Sequence, residues 1–204
     1  MRRSSAFAAL LLAASAVAVA AEGWDLTASD VRQAYFLGQR RADQRLAEFL
    51  ADYVQRLPAP ASGPHVAVIQ LSTPYHQVVK RSWRTPVGYS SQQAQQDYQA
   101  NPDLVLVNIT VNLLPGDVAA LRDLGFWRDF HVRLIQNGRT IFPHRSSGEL
   151  IYSGADGYGS NHVVGFELRA EFSTHQLVRT PARAEVINHE QKTVTAQFDL
   201  ARLK

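Results

Sequence analysis

The segment 154–162 combines more kinds of polar chemistry than any other stretch of the chain. It carries the carboxylate of Asp156, the hydroxyl of Ser160, the amide of Asn161 and the imidazole of His162, between glycines and just before a strand-like run. Flexible loops held by a rigid β-scaffold are where binding groups concentrate, so these four residues are predicted to bind a ligand. The other interpretation is a plain connection, because glycine-rich segments are common turns.

A second candidate is the basic stretch 80–84, which contains Trp83. An aromatic ring among cations would stack on a sugar or help to hold an acidic surface, which makes Trp83 a candidate ligand-binding residue. The competing interpretation is structural: Trp83 is partly covered on a strand, with the Arg81 stem lying along apolar surface.

Catalytic motifs are missing from the sequence. There is no Gly-x-Ser-x-Gly elbow and no Ser-x-x-Lys pair. Ser160 and His162 are too close along the chain to be read as members of a triad. Paired carboxylates for glycoside hydrolysis would have to come from Asp156 and the glutamates at 149, 167 and 171. The sequence therefore leaves an enzyme uncertain and predicts no catalytic residue, with an unrecognised hydrolase around the 154–162 loop as the alternative.

The sequence also predicts no metal site and no cofactor. Its seven histidines are scattered, none in the His-Glu-x-x-His spacing of a zincin helix, and it has no cysteine for a thiolate site.

The amino terminus predicts export. Arg2 and Arg3 precede an apolar run that ends in Ala18-Val19-Ala20, which is the pattern of a cleavable signal peptide at 1–20. The expected product is periplasmic or secreted, with no membrane attachment after cleavage. Loss of the two arginines would leave a near-neutral protein, because the chain has 21 Lys and Arg against 18 Asp and Glu. Nucleic acid is therefore not an expected partner.

A long amphipathic helix is predicted over Thr27–Leu57, within an N-terminal helical segment at 21–58. Its apolar face includes Gly38, Phe49 and Tyr53, and its other face carries arginine and glutamine. We expect this face to pack on the rest of the chain. The alternative is that Gly38, Phe49 and Tyr53 form an interface between copies in a homo-oligomer.

Residues 65–204 are predicted to form an antiparallel β-sandwich of immunoglobulin-like architecture, with short surface helices. Strands are expected at His65–Leu71, Gln77–Trp83, Leu104–Leu113 and 164–172, among others. Asn137-Gly138 predicts a tight hairpin, and 183–188 with 193–200 predicts another. Together these features favour an exported, non-enzymatic binding or structural module of the bacterial envelope or secretome, with an unknown protein or small ligand as its partner.

Overall fold

The computed structural model describes residues 23–41, 43–60, 63–85, 87–113, 125–153, 162–188 and 190–204. They form a mainly β structure with two antiparallel sheets and four α-helices, which confirms the predicted β-rich class. The predicted signal peptide at 1–20 lies outside these residues. No helix within the described ranges is long and apolar enough to cross a membrane.

The elements follow one another in this order: α1 (Ala28–Gln39), α2 (Gln44–Ala51), β1 (Val54–Arg56), β2 (His65–Ser72), α3 (Pro74–Arg84), α4 (Ser91–Ala100), β3 (Leu104–Asn112), β4 (His131–Gln136), β5 (Arg139–Ile141), β6 (Arg145–Tyr152), β7 (Val163–Ser173), β8 (Pro181–Ile187) and β9 (Thr193–Asp199). Short 3₁₀ helices lie at Phe126–Asp129 and Thr174–Gln176.

The larger sheet has five strands in the order β1-β2-β3-β7-β6. At its centre Ile109 of β3 pairs with Ile69 of β2 and with Leu168 of β7. The odd-numbered residues of β3 are buried on one face, and Asn108 and Thr110 lie on the other. The two-residue period predicted for 104–113 and 164–172 is confirmed, and Leu106 is the one buried residue on the second face of β3.

The smaller sheet has four strands in the order β5-β4-β8-β9. Asn137 and Gly138, with φ of 51° and 73°, connect β4 to β5. Two positive φ values in a two-residue loop are typical of a type I′ turn, whose twist matches that of the flanking strands. The Asn137-Gly138 hairpin and the β8–β9 hairpin are therefore confirmed.

Both sheets contribute side chains to one apolar core. Ile69, Ile109 and Leu168 from the larger sheet share this cluster with Leu134 and Phe198 from the smaller one. Burial of each such side chain contributes roughly 1.5–3 kcal/mol, so this shared face is the main source of stability. The opposite face of the larger sheet carries the polar side chains of Asn108, Glu167 and Arg169, with Leu104 and Leu106 at one end of β3.

The single helix predicted over Thr27–Leu57 is wrong. The segment forms α1, α2 and the short strand β1, which pairs with β2. Asp43, which lies inside the predicted helix, is instead the N-cap of α2: its carboxylate accepts from the Arg45 amide at 2.9 Å. An N-cap residue has extended backbone, so a helix cannot run through it.

The strand predicted at Gln77–Trp83 is also wrong, because Pro74–Arg84 is the helix α3. Thr73 caps it by accepting from the His76 amide at 3.2 Å, and Pro74 occupies the first turn. The buried residues Tyr75, Val78, Val79 and Ser82 recur at helical spacing. In a segment of seven residues the alternation of Val79, Arg81 and Trp83 also fits a strand, so this pattern alone cannot distinguish a strand from a helix.

The three positions predicted as an interface are used in packing within this chain. Gly38 lies against α3, where an added Cβ would come within 2.4 Å of the Val79 carbonyl oxygen. Phe49 is half-buried and contacts both the sheet core and a smaller helical cluster that includes Val31, Leu46 and Val79. The Tyr53 side chain is buried. Contact of these positions with a second copy stays a prediction.

Candidate functional site

A polar groove lies between the outer face of the five-stranded sheet and the helices α3 and α4, with a volume of about 860 Å³. Strands β2, β3, β7 and β6 form its floor, and the two helices form its wall. Its charged lining residues are Lys80, Arg81, Arg84, Asp97, Glu149, Glu167 and Arg169, and the polar ones include Ser72, Gln77, Thr85, Asn101, Asn108 and Ser147. The groove thus combines a rigid floor with groups of both charges.

The floor is ordered by the strand register. Gln70 pairs with Asn108, Asn108 with Arg169, and Arg169 with Ser147, so these four polar side chains stand in one row across four strands. Adjacent strands lie about 4.8 Å apart, which gives the row a length of roughly 14 Å. Such a row offers spaced polar groups to an extended ligand.

The α3 wall places cations over this floor. Lys80 Nζ donates to Gln70 Oε1 at 2.7 Å, and Arg84 lies one helical turn beyond Lys80. Burial lowers the pKa of the Lys80 ammonium, and the positive charge of Arg84 lowers it further. Lys80 is therefore held in the groove by a neutral partner.

An ion pair and an aromatic ring fix α3 relative to α4. Arg81 Nε lies 3.0 Å from Asp97 Oδ2, and the Arg81 guanidinium lies over the Tyr89 ring at 5.6 Å. Burial, together with the neighbouring Asp97 carboxylate, raises the pKa of the Tyr89 hydroxyl well above its ordinary value. Tyr89 therefore stays a neutral phenol at physiological pH. The ion pair between Arg81 and Asp97 holds the two helices of the wall together.

Two glutamates face each other on the floor. Glu149 of β6 pairs directly with Glu167 of β7, and neither makes an ion pair with the described residues. Like charges at directly opposed positions destabilise a sheet. The sequence alone placed both glutamates among possible carboxylate pairs, but only the register shows that these two are the neighbours.

A buried Ser72–His76 pair lies behind the groove, and no sequence pattern predicts it. The Ser72 hydroxyl and His76 Nδ1 share a hydrogen bond, and the imidazole stacks on Tyr53 with 4.3 Å between centroids. Both side chains are buried, and burial lowers the pKa of His76 to about 3. An imidazole so hard to protonate is a poor general base near neutral pH, so the pair joins β2 to α3 structurally.

Of the four ligand-binding residues predicted in the glycine-rich loop, the structure describes only His162, and it does not line this groove. His162 is exposed, and its Nδ1 lies 2.9 Å from Ser153 Oγ. Asp156, Ser160 and Asn161 lie outside the described residues, so the ligand site and the hydrolase hypothesis at this loop stay predictions. Within the described ranges no three His, Asp or Glu side chains form a group suited to a metal ion.

Trp83 lies on a different side of α3 from the groove. Its backbone faces Gly38 of α1, its carbonyl accepts from Arg41 Nη2 at 2.6 Å, and the residue is 40% exposed. The basic stretch 80–84 belongs to a helix and not to the predicted strand, and three of its residues line the groove. As a helix, it directs Lys80 and Arg84 into the groove and leaves Trp83 outside.

No protein-family profile matches the chain, and no curated protein has a significantly similar sequence.

Proposed function

We propose that this chain is an exported, non-enzymatic binding module of the bacterial envelope or secretome that holds a polar ligand in the polar groove. The observation that carries the proposal is the groove itself, about 860 Å³ in volume and floored by four hydrogen-bonded strands. Small-molecule sites commonly occupy 300–1,000 Å³. The shared core of the two sheets supports a β-sandwich scaffold, whose outer face carries the site.

The position of the lining groups supports binding by a preformed surface. Asn108 and Arg169 stand on central strands, whose backbones are fixed by neighbours on both sides. Lys80 and Arg84 stand on a helix that is packed against α1 and capped at its start. Groups on strands and helices are held more rigidly than groups on loops, so little ordering entropy is lost when a ligand binds.

Filling the groove is expected to abolish ligand binding. Asn108→Trp places an indole on the floor, on the face away from the core, so it should block the groove without creating a cavity in the protein. Binding would be measured by ¹⁵N-resolved NMR titration with a panel of charged tripeptides, neutral oligosaccharides and dicarboxylates. The expected result for the native protein is a set of shifts confined to α3, α4, β3 and β7, and Asn108→Trp should lose them.

The matched control is Gln197→Trp, which adds the same ring to an exposed position on the outer face of the smaller sheet. It should bind as the native protein does. Native-like binding by Asn108→Trp, or shifts that map to the other sheet, would overturn the assignment of the groove as the binding site.

A further inference from the structure

We infer that Lys80 and Arg84 of α3, facing Arg169 of β7, form an anion subsite within the polar groove, and that the ligand presents a carboxylate or phosphate group there. The inference rests on the proposed function, since it assigns the chemistry of the same groove. Three cations converge there, and their donors have the geometry that an oxyanion requires.

Three cations converge from two elements. Lys80 and Arg84 share one face of α3, one turn apart, and like charges at this spacing destabilise a helix. Arg169 rises from the floor in the same row as Gln70, the residue that Lys80 contacts. Arg84 and Arg169 both act electrostatically on Lys80, and both disfavour its charged form. These positive charges repel one another.

The described residues do not supply partners for all of these donors. Lys80 has three N–H donors, and its hydrogen bond to Gln70 uses one. Arg84 makes no ion pair or side-chain hydrogen bond with the described residues. Arg169 Nη2 is paired with Glu171 Oε1 at 3.2 Å, and Glu167 is the acidic group whose charge favours protonated Lys80. One side of the cluster is therefore open to the groove.

The donor geometry selects the class of ligand. Guanidinium groups present planar forks that match the paired oxygens of a carboxylate or phosphate, and a lysine adds a point charge beside them. Two cations, Arg84 and Arg169, act on Lys80 against one carboxylate, Glu167, and Arg81 is already paired with Asp97. An oxyanion bound here would relieve the repulsion and favour the charged form of Lys80.

The experiment uses the reactivity of the lysine amines. The chain has only three lysines, Lys80, Lys192 and Lys204, so labelling with a limiting amount of acetic anhydride near pH 8 can be followed at each by peptide mass spectrometry. Inorganic phosphate and succinate are added in separate series, against sodium chloride at matched ionic strength. Either anion should slow labelling of Lys80 about tenfold at saturation and leave the exposed Lys192 unchanged.

Two arginine variants test whether the protection is local. Arg84→Gln should raise the anion concentration for half-protection of Lys80 about tenfold, the loss expected for one charge-assisted hydrogen bond. Arg202→Gln removes an exposed arginine outside the groove and should leave the half-protection concentration unchanged. Because both positions are exposed, both variants should fold, which circular dichroism would check.

The results distinguish two hypotheses, that an anion binds at Lys80 and that the groove binds any ligand. The anion with the lower half-protection concentration identifies the preferred group, carboxylate or phosphate. If neither protects Lys80 beyond the chloride series, or if Arg84→Gln protects as the native protein does, the anion subsite is overturned. Neutral ligands that still map to the groove in the NMR titration would then leave the proposed function standing.

Discussion

Gly38→Ala is expected to lower the free energy of unfolding by about 2 kcal/mol, although alanine is the better helix former. The new methyl carbon would lie 2.4 Å from the Val79 carbonyl oxygen, 2.8 Å from the Ser82 Cβ and 3.1 Å from the Trp83 amide nitrogen. Two of these are backbone atoms of α3, so relief requires the helices α1 and α3 to separate. Urea unfolding followed by circular dichroism measures the change, and Gly38→Leu should destabilise further.

The sign of this effect distinguishes close helix packing from simple propensity. Propensity alone would make Gly38→Ala stabilising by about 1 kcal/mol. The control is Gly23→Ala, where an added Cβ meets its nearest neighbour at an ordinary 3.6 Å. Light scattering after gel filtration tests the predicted interface at Gly38. A variant that changes oligomeric mass while keeping native unfolding free energy would contradict the packing role and favour contact between copies.

The second large effect is expected from acid. His76 is fully buried with a pKa lowered from 6.5 to about 3, so the unfolded chain takes up a proton that the folded protein refuses. The stabilisation is complete above the unfolded pKa of 6.5 and is lost progressively as the pH falls towards 3. Between pH 7 and pH 5 this linkage should remove about 2 kcal/mol from the free energy of unfolding.

This pH window isolates the histidine from the carboxylates. Thr27 lowers the pKa of Asp30, and Arg133 lowers the pKa of Glu185, but their stabilisation is lost only below their unfolded values of 3.8 and 4.5. Urea unfolding at pH 7 and pH 5 measures the change in the free energy of unfolding between the two. That change should be smaller for His76→Gln than for the native protein. The exposed-site control, His131→Gln, should keep the native slope. A native slope in His76→Gln would show that another group carries the acid sensitivity.

The location of His76 gives that sensitivity a structural consequence. Its ring stacks on Tyr53, and the Tyr53 hydroxyl exchanges hydrogen bonds of 3.0 and 3.1 Å with the backbone of Lys204. Its partner Ser72 ends β2 and lines the groove. Loss of this packing at low pH would disturb the junction of β2 and α3, the elements that hold Gln70 and Lys80. Groove binding and acid stability are thus expected to depend on one junction.

Parts of the fold were determined by short-range patterns. The two-residue period of 104–113 and 164–172 sufficed to identify strands buried on one face, because neither segment also fits a helical period. Asn137-Gly138 sufficed for a hairpin, because few residues adopt two successive positive φ values. Short surface helices were predicted, and α4 is one of them, with a capping box formed by Ser90 and Gln93.

The groove depends on contacts that no local pattern carries. Glu149 and Glu167 are 18 positions apart, and only the β6–β7 register makes them neighbours. Segment 77–83 fits both the two-residue period of a strand and the 3.6-residue period of a helix. The cap at Thr73 and the proline at position 74 favour the helix, which lies over the polar face of the sheet. The sequence by itself determined which segments form strands buried on one face and where a tight hairpin turn lies. Both depend on steric preferences and burial patterns that extend over only a few residues. Only the tertiary structure decided that Lys80, Arg84 and Arg169 share a groove, because strand register and helix packing join residues far apart in the chain.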